Sequence, residues 1–514
     1  MSEKVAVFDT TLRDGEQAAG TRLGRREKLT IARQLAALNV DVIEAGYPGS
    51  SPEEAEAVQL IAAEITGPTI CALSRAIPVD IEVCGRALAR ARRPRIHTGI
   101  GASDVHIAGK FVDARYGTDL AHKKVTILRM AVEAVRLARH FTEDVEFYAE
   151  DAGRAEESFL LEMLHAVIDA GATVINIPDT TGYAIPAQYG RLIQTLRERV
   201  PNIDQATISV HCHDDLGLAV ANSLSAIYHG ARQVEGTING IGERAGNAAL
   251  EEVVMALITR SDYFPVHTDI NTREFQRTSR LVADSLGMKV PPNKAVVGSN
   301  AFSHSSGIHV DGFLKDRTTY EILRPEDVGI SDSRVVLTAR TGRHGLRDRL
   351  KKLGYELSTH ELDRAYGRFL TIADKKQEVF DADLVAILHD EIHPSAERYQ
   401  LDYFHIHTGT SAIPTATVRL RLKEGMREGA ATGDGPVDAI CRAIRTVTNT
   451  AAMLCQYEIR AVTSGTEAMG EVTMQVEECG RRVLGRGAST DVIEASAKSY
   501  IDALNQLAEI SAKM

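Results

Sequence analysis

The feature that most restricts the fold is an alternation of short apolar runs and longer amphipathic stretches over residues 1–285. The apolar runs end in polar residues and are VAVFDTT (5–11), VDVIEAGYP (40–48), TICAL (69–73), RIHTGIG (95–101), DVEFYAED (144–151), TVINIPDT (173–180), TISVHCHDD (207–215) and QVEGTINGIG (233–242). The stretches between them, such as RREKLTIARQLAALN, have apolar residues at helical spacing. Because each parallel pairing needs a crossover helix, this α/β pattern predicts a closed (β/α)8 barrel rather than an open doubly wound sheet.

Two further regions follow the predicted barrel. Residues 286–390 begin with loop-like sequence and continue with stretches of helical apolar spacing, such as RLKKLGYELSTHELDRAYGRFLTIADKKQ. This pattern predicts helical linker subdomains. Residues 391–514 carry a duplicated pattern of three strand-like runs and one helix, which predicts an α+β domain of two βββα units. Two such units can bury their sheet faces against one another. The pattern alone fits a dimerisation module and a ligand-sensing regulatory domain equally well.

Composition narrows the class of protein and its partners. The 514 residues are too many for one ordinary core, and 44% apolar with 25% charged residues is typical of a soluble globular chain. A formal net charge of −11 argues against nucleic acid or an anionic membrane as the main partner. No run approaches the roughly 18 apolar residues of a membrane span, and the N-terminus lacks the apolar segment of a signal peptide. The six cysteines lack CxxC spacing, which predicts reduced thiols in a cytoplasmic protein.

Polar residues cluster at the ends of the predicted strands, where barrel enzymes build their sites. In strand order they are Arg13, Asp14, Glu44, His97, Glu150, Asn176, Thr180, His211, His213 and Asn247. A barrel interior is normally apolar, so this density at one rim is hard to explain as packing. The sequence therefore predicts an active site at the C-terminal ends of the strands.

The pair of histidines in strand 7 is the sharpest part of this set. Side chains two apart in a strand point the same way, so His211 and His213 would face the barrel mouth and Cys212 the helices. With Asp14 they supply two nitrogens and one oxygen and leave positions open, which suits a divalent ion acting as a Lewis acid. An HxH pair alone is often structural, and the added carboxylate favours the metal site.

Two charged residues and one loop have competing interpretations. Arg13 can hold a carboxylate or stabilise an enolate oxygen, or it can form a rim salt bridge. Glu150 can orient a base or bound water, or it can belong to a structural ion pair. The glycine-rich segment NGIGERAGN (239–247) allows tight turns and a close approach of the backbone to a ligand, but it is not a dinucleotide-binding fingerprint.

Four long motifs carry a resemblance to a known family. They are FDTTLRDGEQ (8–17), HCHDDLGLAVANSL (211–224), GIGERAGN (240–247) and HSSGIHVDGFLK (304–315). In this order they resemble the α-isopropylmalate synthase branch of the DRE-TIM metallolyase superfamily, over nearly the whole chain. The resemblance implies an enzyme that joins acetyl-CoA to a small 2-oxo acid, foremost 2-oxoisovalerate, and a C-terminal domain that senses an end-product amino acid.

The resemblance also assigns a metal site. It implies that Asp14, His211 and His213 bind a divalent metal, Mg²⁺, Mn²⁺ or Zn²⁺, and that Asn247 completes or supports the set. K⁺ is a further candidate cofactor. The metal would chelate the 2-oxo acid and polarise its keto group.

Catalytic and substrate-binding roles follow from the same resemblance. Arg13 would stabilise the developing enolate, and Glu150 would act with His309 on water or on the acetyl methyl group. The family typically lends the residues at His309 and Tyr320 to the partner subunit's barrel, which implies a homodimer. The substrate-binding residues would be Glu44, His97, Gly99, Tyr148, Asn176, Pro178 and Thr180.

Three positions depart from the family pattern. Family members usually carry a bulky aromatic residue where this chain has Gly99, and a serine where it has Tyr148. By strand alternation both face the barrel interior. Either Tyr148 fills the space that Gly99 vacates and the substrate is unchanged, or the cavity is relocated and takes another 2-oxo acid such as phenylpyruvate. Val310, where the family commonly has glutamine, is the third departure.

Other activities compete with this interpretation. Pyruvate or 2-oxoglutarate as acceptor would make the chain a citramalate or homocitrate synthase. A hydroxyacyl-CoA lyase is disfavoured because GERAGNAAL lacks the loop cysteine of hydroxymethylglutaryl-CoA lyases, and because a lyase would not need the C-terminal domain. A non-catalytic sensor or scaffold would be expected to lose the metal ligands, yet the sequence keeps all of them.

Overall fold

The structure is a computed structural model that describes residues 2–331, 334–374, 379–381, 383–384, 387, 398–461, 470–478 and 480–512. It divides into two compact units. The first comprises Met1–His304 with Gly312–Val335, and the second comprises Ser305–Asp311 with Val336–Met514. Residues 375–378, at the end of the predicted helical stretch RLKKLGYELSTHELDRAYGRFLTIADKKQ and just beyond it, lie outside the described residues. So do Cys479 and the predicted boundary between residues 390 and 391.

The first unit contains the predicted barrel. Its strands are β1 (Ala6–Asp9), β2 (Val42–Glu44), β3 (Thr69–Arg75), β4 (Pro94–Gly101), β5 (Val145–Glu150), β6 (Val174–Asp179), β7 (Thr207–Cys212) and β8 (Gln233–Gly236). Neighbours pair in parallel in chain order, and β8 closes the barrel on β1 through pairs such as Val7 with Val234. The predicted fold class, a closed (β/α)8 barrel, is therefore confirmed.

Helices cover the outside of the barrel. They are α1 (Arg25–Leu38), α2 (Pro52–Glu64), α3 (Pro78–Leu88), α4 (Asp104–Lys110), α5 (Leu120–Ala138), α6 (Glu157–Asp169), α7 (Pro186–Arg199), α8 (Ala219–Tyr228), α9 (Leu250–Thr259) and α10 (Phe275–Leu286). Local signals set their starts: in α2, the Ser51 hydroxyl accepts the Glu54 amide and Pro52 opens the first turn. Their apolar faces bury side chains such as Ile31 and Leu35 against the barrel.

Short elements complete the rest of the first unit. Two-residue strands pair in parallel, Glu3–Lys4 with Val266–His267 and Ser303–His304 with Arg334–Val335. Helix α11 (Gly307–Lys315) contains a point where the division of the chain changes: residues up to Asp311 belong to the second unit, and residues from Gly312 belong to the first. Among the residues that the structure describes, no helix combines the length and the apolar character needed to cross a bilayer.

The second unit begins with helices and ends with two sheets. Helices α12 (Arg343–Lys352) and α13 (Thr359–Ala373) occupy the predicted linker text, and Ser358 with Glu361 forms a capping box at the start of α13. The C-terminal elements are β9 (Tyr399–Gly409), β10 (Ala412–Leu422), β11 (Gly425–Thr432), α14 (Pro436–Thr448), β12 (Met453–Ala461), β13 (Gly470–Glu478), β14 (Arg481–Ser489) and α15 (Val492–Ala512).

The C-terminal elements form the predicted duplicated pattern. Strands β9–β10–β11 make one antiparallel sheet and β12–β13–β14 make another, each followed by a helix. Alternate residues of the central strands are fully buried, Val418 and Leu420 in one sheet and Val472 and Met474 in the other. They belong to one apolar core that also contains Ile444 of α14. The predicted α+β arrangement of two βββα units is therefore confirmed.

The interior of the barrel departs from the usual apolar filling. Barrels of this class are normally filled by layers of Val, Ile and Leu. Here Arg95, Glu146, Ser209, Gln233 and Glu235 are all buried inside it. Each makes at least one ion pair or hydrogen bond to another member of the set. The barrel therefore has charged and polar side chains in its interior.

Candidate metal and substrate site

A cavity of about 300 Å³ opens at the C-terminal ends of the barrel strands. Its lining residues that the sequence had singled out are Arg13, Asp14, His97, Tyr148, Glu150, Asn176, Pro178, Thr180, His211 and His213. The remaining lining residues are Gln17, Leu73, Glu243 and Arg244. Strand alternation thus brings side chains from most of the barrel strands, most of them polar, into one small space.

Three proposed metal ligands converge in this cavity. The Nε2 atom of His211 lies 3.1 Å from Oδ2 of Asp14, and Nε2 of His213 lies 3.6 Å from the same oxygen. The two Nε2 atoms are 3.3 Å apart. All three side chains are buried, and their ligand atoms lie within 4.8 Å of one another. Asp14 comes from the turn after β1 and the histidines from the end of β7, so the fold rather than the local sequence joins them.

The chemistry of these donors fits a divalent cation. Asp14 Oδ2 is buried without a well-aligned hydrogen bond, although burying an unsatisfied acceptor is costly. A carboxylate oxygen and two imidazole nitrogens that leave further positions open are a set that Mg²⁺, Mn²⁺ and Zn²⁺ all accept. The orphan oxygen and the crowded Nε2 atoms are both explained if these three residues hold a cation.

The electrostatics of the three groups also favour a bound cation. Burial raises the pKa of Asp14, but Arg13 and the two imidazoles outweigh burial and hold that pKa well below its ordinary value. Burial, aided by the neighbouring His211, lowers the pKa of His213 to about 4, which leaves a lone pair free at neutral pH. Burial also acts to lower the pKa of His211, but Asp14 and Glu235 overcome it and raise that pKa to about 9. Two carboxylates therefore favour positive charge at this position.

Glu44 lies behind the cavity wall and orients two residues that line it. It is fully buried, and its Oε2 accepts hydrogen bonds from Arg13 Nε and from the Thr10 hydroxyl, both at 2.6 Å. Its Oε1 lies 2.8 Å from Nδ1 of His97, whose Nε2 is 3.5 Å from the Asn176 amide nitrogen. Burial raises the pKa of Glu44, but Arg13 and His97 outweigh it and lower that pKa to about 2. Glu44 is thus an anion that fixes a guanidinium at the cavity.

The structure shows how the two departures on β4 and β5 fit together. A Cβ at Gly99 would lie 2.5 Å from Cγ of Tyr148 and 2.1 Å from the Tyr148 carbonyl oxygen, so only glycine fits there. The Tyr148 ring packs edge-to-face on His97, with ring centroids 5.0 Å apart, and lines the cavity. Gly99 itself does not line the cavity. The tyrosine therefore occupies the space beside the glycine.

Glu150 both lines the cavity and forms an ion pair, so the structure allows both roles that the sequence suggested for it. Its Oε1 accepts a hydrogen bond from Lys110 Nζ at 2.6 Å, and its Oε2 lies 3.6 Å from His106 Nδ1. Burial raises the pKa of Glu150, but His106 and Lys110 outweigh it and keep that pKa below its ordinary value. The carboxylate thus lines the cavity as an anion while it is also held by an ion pair from α4.

The glycine-rich loop after β8 brings Asn247 against the histidines. Asn247 pairs with His213 through a main-chain bridge, and its Nδ2 donates to the Ile241 carbonyl at 3.0 Å. Its buried Oδ1 has no hydrogen-bond partner. A Cβ at Gly242, where φ is +155°, would lie 2.1 Å from Asn247 Nδ2. The loop therefore needs a glycine at that point for its backbone to approach the asparagine.

Arg244 is the most informative lining residue that the sequence reasoning missed. It adopts a left-handed backbone conformation with φ of +54°. Its guanidinium donates to both carboxylate oxygens of Asp215, at 2.8 and 2.9 Å, and to the Thr180 carbonyl at 2.8 Å. The sequence feature that could have indicated its role is its position as the one arginine of the glycine-rich segment 239–247.

Two predicted residues lie outside the barrel. His309 is on α11 in the second unit and is exposed. Tyr320 is 42% exposed, and its ring packs over Gly312 in the first unit. Their predicted contribution to a partner's site stays a prediction.

Comparison with family models places each region of the chain. Residues 4–282 match the HMGL-like model, residues 296–377 match the homocitrate synthase post-HMGL domain-like model, and residues 378–508 match the LeuA allosteric (dimerisation) domain. The first of these covers more than half of the chain. The fold and the site thus define an HMGL-like barrel enzyme with a LeuA-type C-terminal domain.

Full-length relatives narrow this class further. The chain is 56% identical over 507 residues to the 2-isopropylmalate synthase of Carboxydothermus hydrogenoformans, covering 98% of both chains. It is 53% identical to that of Heliobacterium modesticaldum, covering 99% of this chain and 97% of the relative. It is 51% identical to that of Pyrococcus furiosus, covering 99% of this chain and 100% of the relative. The chain belongs to the 2-isopropylmalate synthase family.

Proposed function

We propose that this chain condenses acetyl-CoA with 2-oxoisovalerate and water to give 2-isopropylmalate and CoA. The observation that carries the proposal is the convergence of Asp14, His211 and His213 beside Arg13 in one cavity at the barrel mouth. The full-length relatives that share this chain's sequence are named for this product. The reaction would supply the first carbon skeleton committed to leucine.

Asp14, His211 and His213 would hold the divalent cation, with Asn247 close behind them. When bound, such a cation supplies a Lewis acid for the keto and carboxylate oxygens of the 2-oxo acid. The neutral His213 imidazole and the anionic Asp14 are already in the protonation states that ligation requires. We propose Mg²⁺ or Mn²⁺ as the working ion, because one carboxylate and open positions for oxygen ligands suit these harder cations.

Arg13 would stabilise the oxygen that becomes negative during the condensation. Its guanidinium is fixed by Glu44 on one side and lies 3.5 Å from Asp14 on the other. A charge held in place before the reaction need not reorganise while the transition state forms. Arg13 is therefore proposed to act by position as well as by charge.

Proton transfer would fall to Glu150 and to His309 of a second subunit. Glu150 is anionic at neutral pH and lines the cavity, so it can orient water or a base. We propose that His309, with Tyr320, enters the partner's barrel in a homodimer. The match of residues 378–508 to a dimerisation domain supports that assembly. Water then hydrolyses the thioester, which makes the condensation irreversible.

The 2-oxo acid side chain would rest against the apolar part of the cavity. That part is formed by Leu73, Tyr148 and Pro178. We propose that His97, Asn176 and Thr180 orient the polar end of the substrate. Because Tyr148 occupies the space beside Gly99, the pair is proposed to compensate and leave room for a small branched side chain rather than for an aromatic ring.

Release of CoA thiol from acetyl-CoA tests the substrate directly. With Mg²⁺ or Mn²⁺ present, we expect a clear preference in kcat/KM for 2-oxoisovalerate over pyruvate, 2-oxoglutarate and phenylpyruvate. A missing or added methylene in an apolar pocket changes discrimination by roughly 10- to 200-fold, which sets the expected margin. Preference for phenylpyruvate would mean that Gly99 and Tyr148 relocate the cavity and that the proposed substrate is wrong.

The C-terminal domain is proposed to sense the amino acid at the end of the pathway, foremost leucine. Removing the residues after about 390 should leave a barrel that no longer responds to that amino acid. The assay is inhibition of thiol release by added leucine, with the full-length chain as the control. Unchanged inhibition in an active truncated chain would rule out the sensor role. We also propose a cytoplasmic enzyme, which the free cysteines among the described residues support.

A further inference from the structure

A buried carboxylate stands directly behind one of the proposed metal ligands. Oε2 of Glu235 lies 3.3 Å from Nδ1 of His211, on the side of the ring away from Asp14. Neither atom has a well-aligned hydrogen bond to any group, and Glu235 is fully buried at the end of β8. The second histidine, His213, also has a buried Nδ1 without a partner, and no carboxylate faces it among the ion pairs of the described residues.

Glu235 is held in place by a chain of polar groups inside the barrel. The Ser209 hydroxyl donates to its Oε1 at 2.7 Å, and Gln233 Nε2 donates to Ser209 at 2.9 Å and to Glu146 Oε1 at 2.8 Å. Arg95 Nη1 then donates to Gln233 Oε1 at 2.8 Å and to Glu146 Oε2 at 3.2 Å. This chain anchors one oxygen of Glu235 and leaves the other directed at the histidine.

We propose that Glu235 is a positioning residue that binds Nδ1–H of His211 and so fixes its tautomer and ring orientation. With a proton held on Nδ1, Nε2 is the nitrogen left to bind the cation beside Asp14. A carboxylate behind a ligating imidazole also makes the ligating nitrogen more basic. This inference rests on the proposed metal site, and it adds a residue that does not touch substrate or metal.

A second cation site is the competing explanation for the same cluster. Ligand atoms of His97, Glu146 and Glu235 do lie within 4.8 Å of one another. However, both oxygens of Glu146 already accept hydrogen bonds from Gln233 and Arg95, and the guanidinium supplies the balancing charge. The cluster is therefore closed by the chain's own groups and acts on His211.

The test compares two isosteric changes in full-length protein, Glu235→Gln and Glu146→Gln. Glu146 is the matched control because it is an equally buried glutamate of the same polar chain that does not contact a histidine ligand. Glutamine at position 146 keeps a side-chain oxygen that can accept from Gln233 or Arg95, and it leaves the Glu235 carboxylate facing His211. The readout is the Kd for Mn²⁺, from the electron paramagnetic resonance signal of the free ion, without substrate.

We expect Glu235→Gln to weaken Mn²⁺ binding roughly 10- to 100-fold and Glu146→Gln to change it by less than about threefold. Unchanged affinity in Glu235→Gln would overturn the positioning role. Failure of the unsubstituted protein to bind Mn²⁺ at all would instead refute the proposed metal site. Should Glu235→Gln not fold, Glu235→Asp keeps the charge but shortens its reach, and wild-type affinity in that variant would equally overturn the inference.

Discussion

Replacing His213 by alanine is expected to abolish turnover while the barrel stays folded. The variant removes one of the three converging ligand atoms. Because the pKa of His213 is lowered to about 4, the native imidazole is neutral at pH 7 and can bind a cation without losing a proton. Losing the Lewis acid removes several kcal/mol of transition-state stabilisation, so kcat should fall roughly 10³-fold or more. The measurements are thiol release with saturating Mn²⁺ and thermal unfolding of the metal-free protein.

The matched control for that variant is His165→Ala. His165 is 44% exposed on α6, and its only described ion pair is a 3.6 Å contact with Asp169 one helical turn away. Its loss should leave both kcat and Mn²⁺ affinity unchanged, because exposed ion pairs are worth little. Normal turnover in His213→Ala would contradict the assignment of the metal site.

Replacing Arg13 by glutamine is expected to lower kcat by about 10²- to 10³-fold, the range found when one preorganised donor is removed from a site of developing charge. The same change leaves Glu44 buried with Thr10 and His97 but without its guanidinium. Losing one partner of a buried ion pair costs roughly 3 to 5 kcal/mol, so the unfolding temperature should also fall. Steady-state kinetics and thermal unfolding separate the two effects.

Two further variants make the Arg13 prediction specific. Arg13→Lys keeps the charge but loses the planar fork, so it should recover stability more fully than kcat. Arg22→Gln alters an 80% exposed arginine of the same segment, paired with an exposed glutamate, and should behave as the wild type. Equal kcat in Arg13→Gln and Arg22→Gln would reduce Arg13 to the rim salt bridge that its sequence position also allowed.

The fold could be predicted because the barrel repeats a local signal. Each strand is a short apolar run and each helix an amphipathic one, so eight repeats leave few topologies to consider. The histidine pair could be predicted for the same reason, since alternation along β7 sends His211 and His213 to one face. Asp14 could be joined to them because carboxyl ends of parallel strands meet at one rim.

Other parts of the site depend on contacts that no local pattern encodes. Glu235 lies in a sequence that predicts an ordinary strand. Its proposed role in positioning His211 follows only from the pairing of β7 with β8, which sets the two residues side by side. Arg244 bonds to residues 29 and 64 positions away along the chain. The Gly99 and Tyr148 pair was visible as two departures, but only the register that sets them side by side shows how they fit together.

The contacts of Arg244 have a consequence for motion at the mouth of the barrel. Its guanidinium joins its own loop after β8 to Asp215 after β7 and to Thr180 after β6. Lifting any one of these three loops would break charge-assisted hydrogen bonds to another. We therefore expect these three loops to stay closed or to open as one unit, rather than one loop at a time.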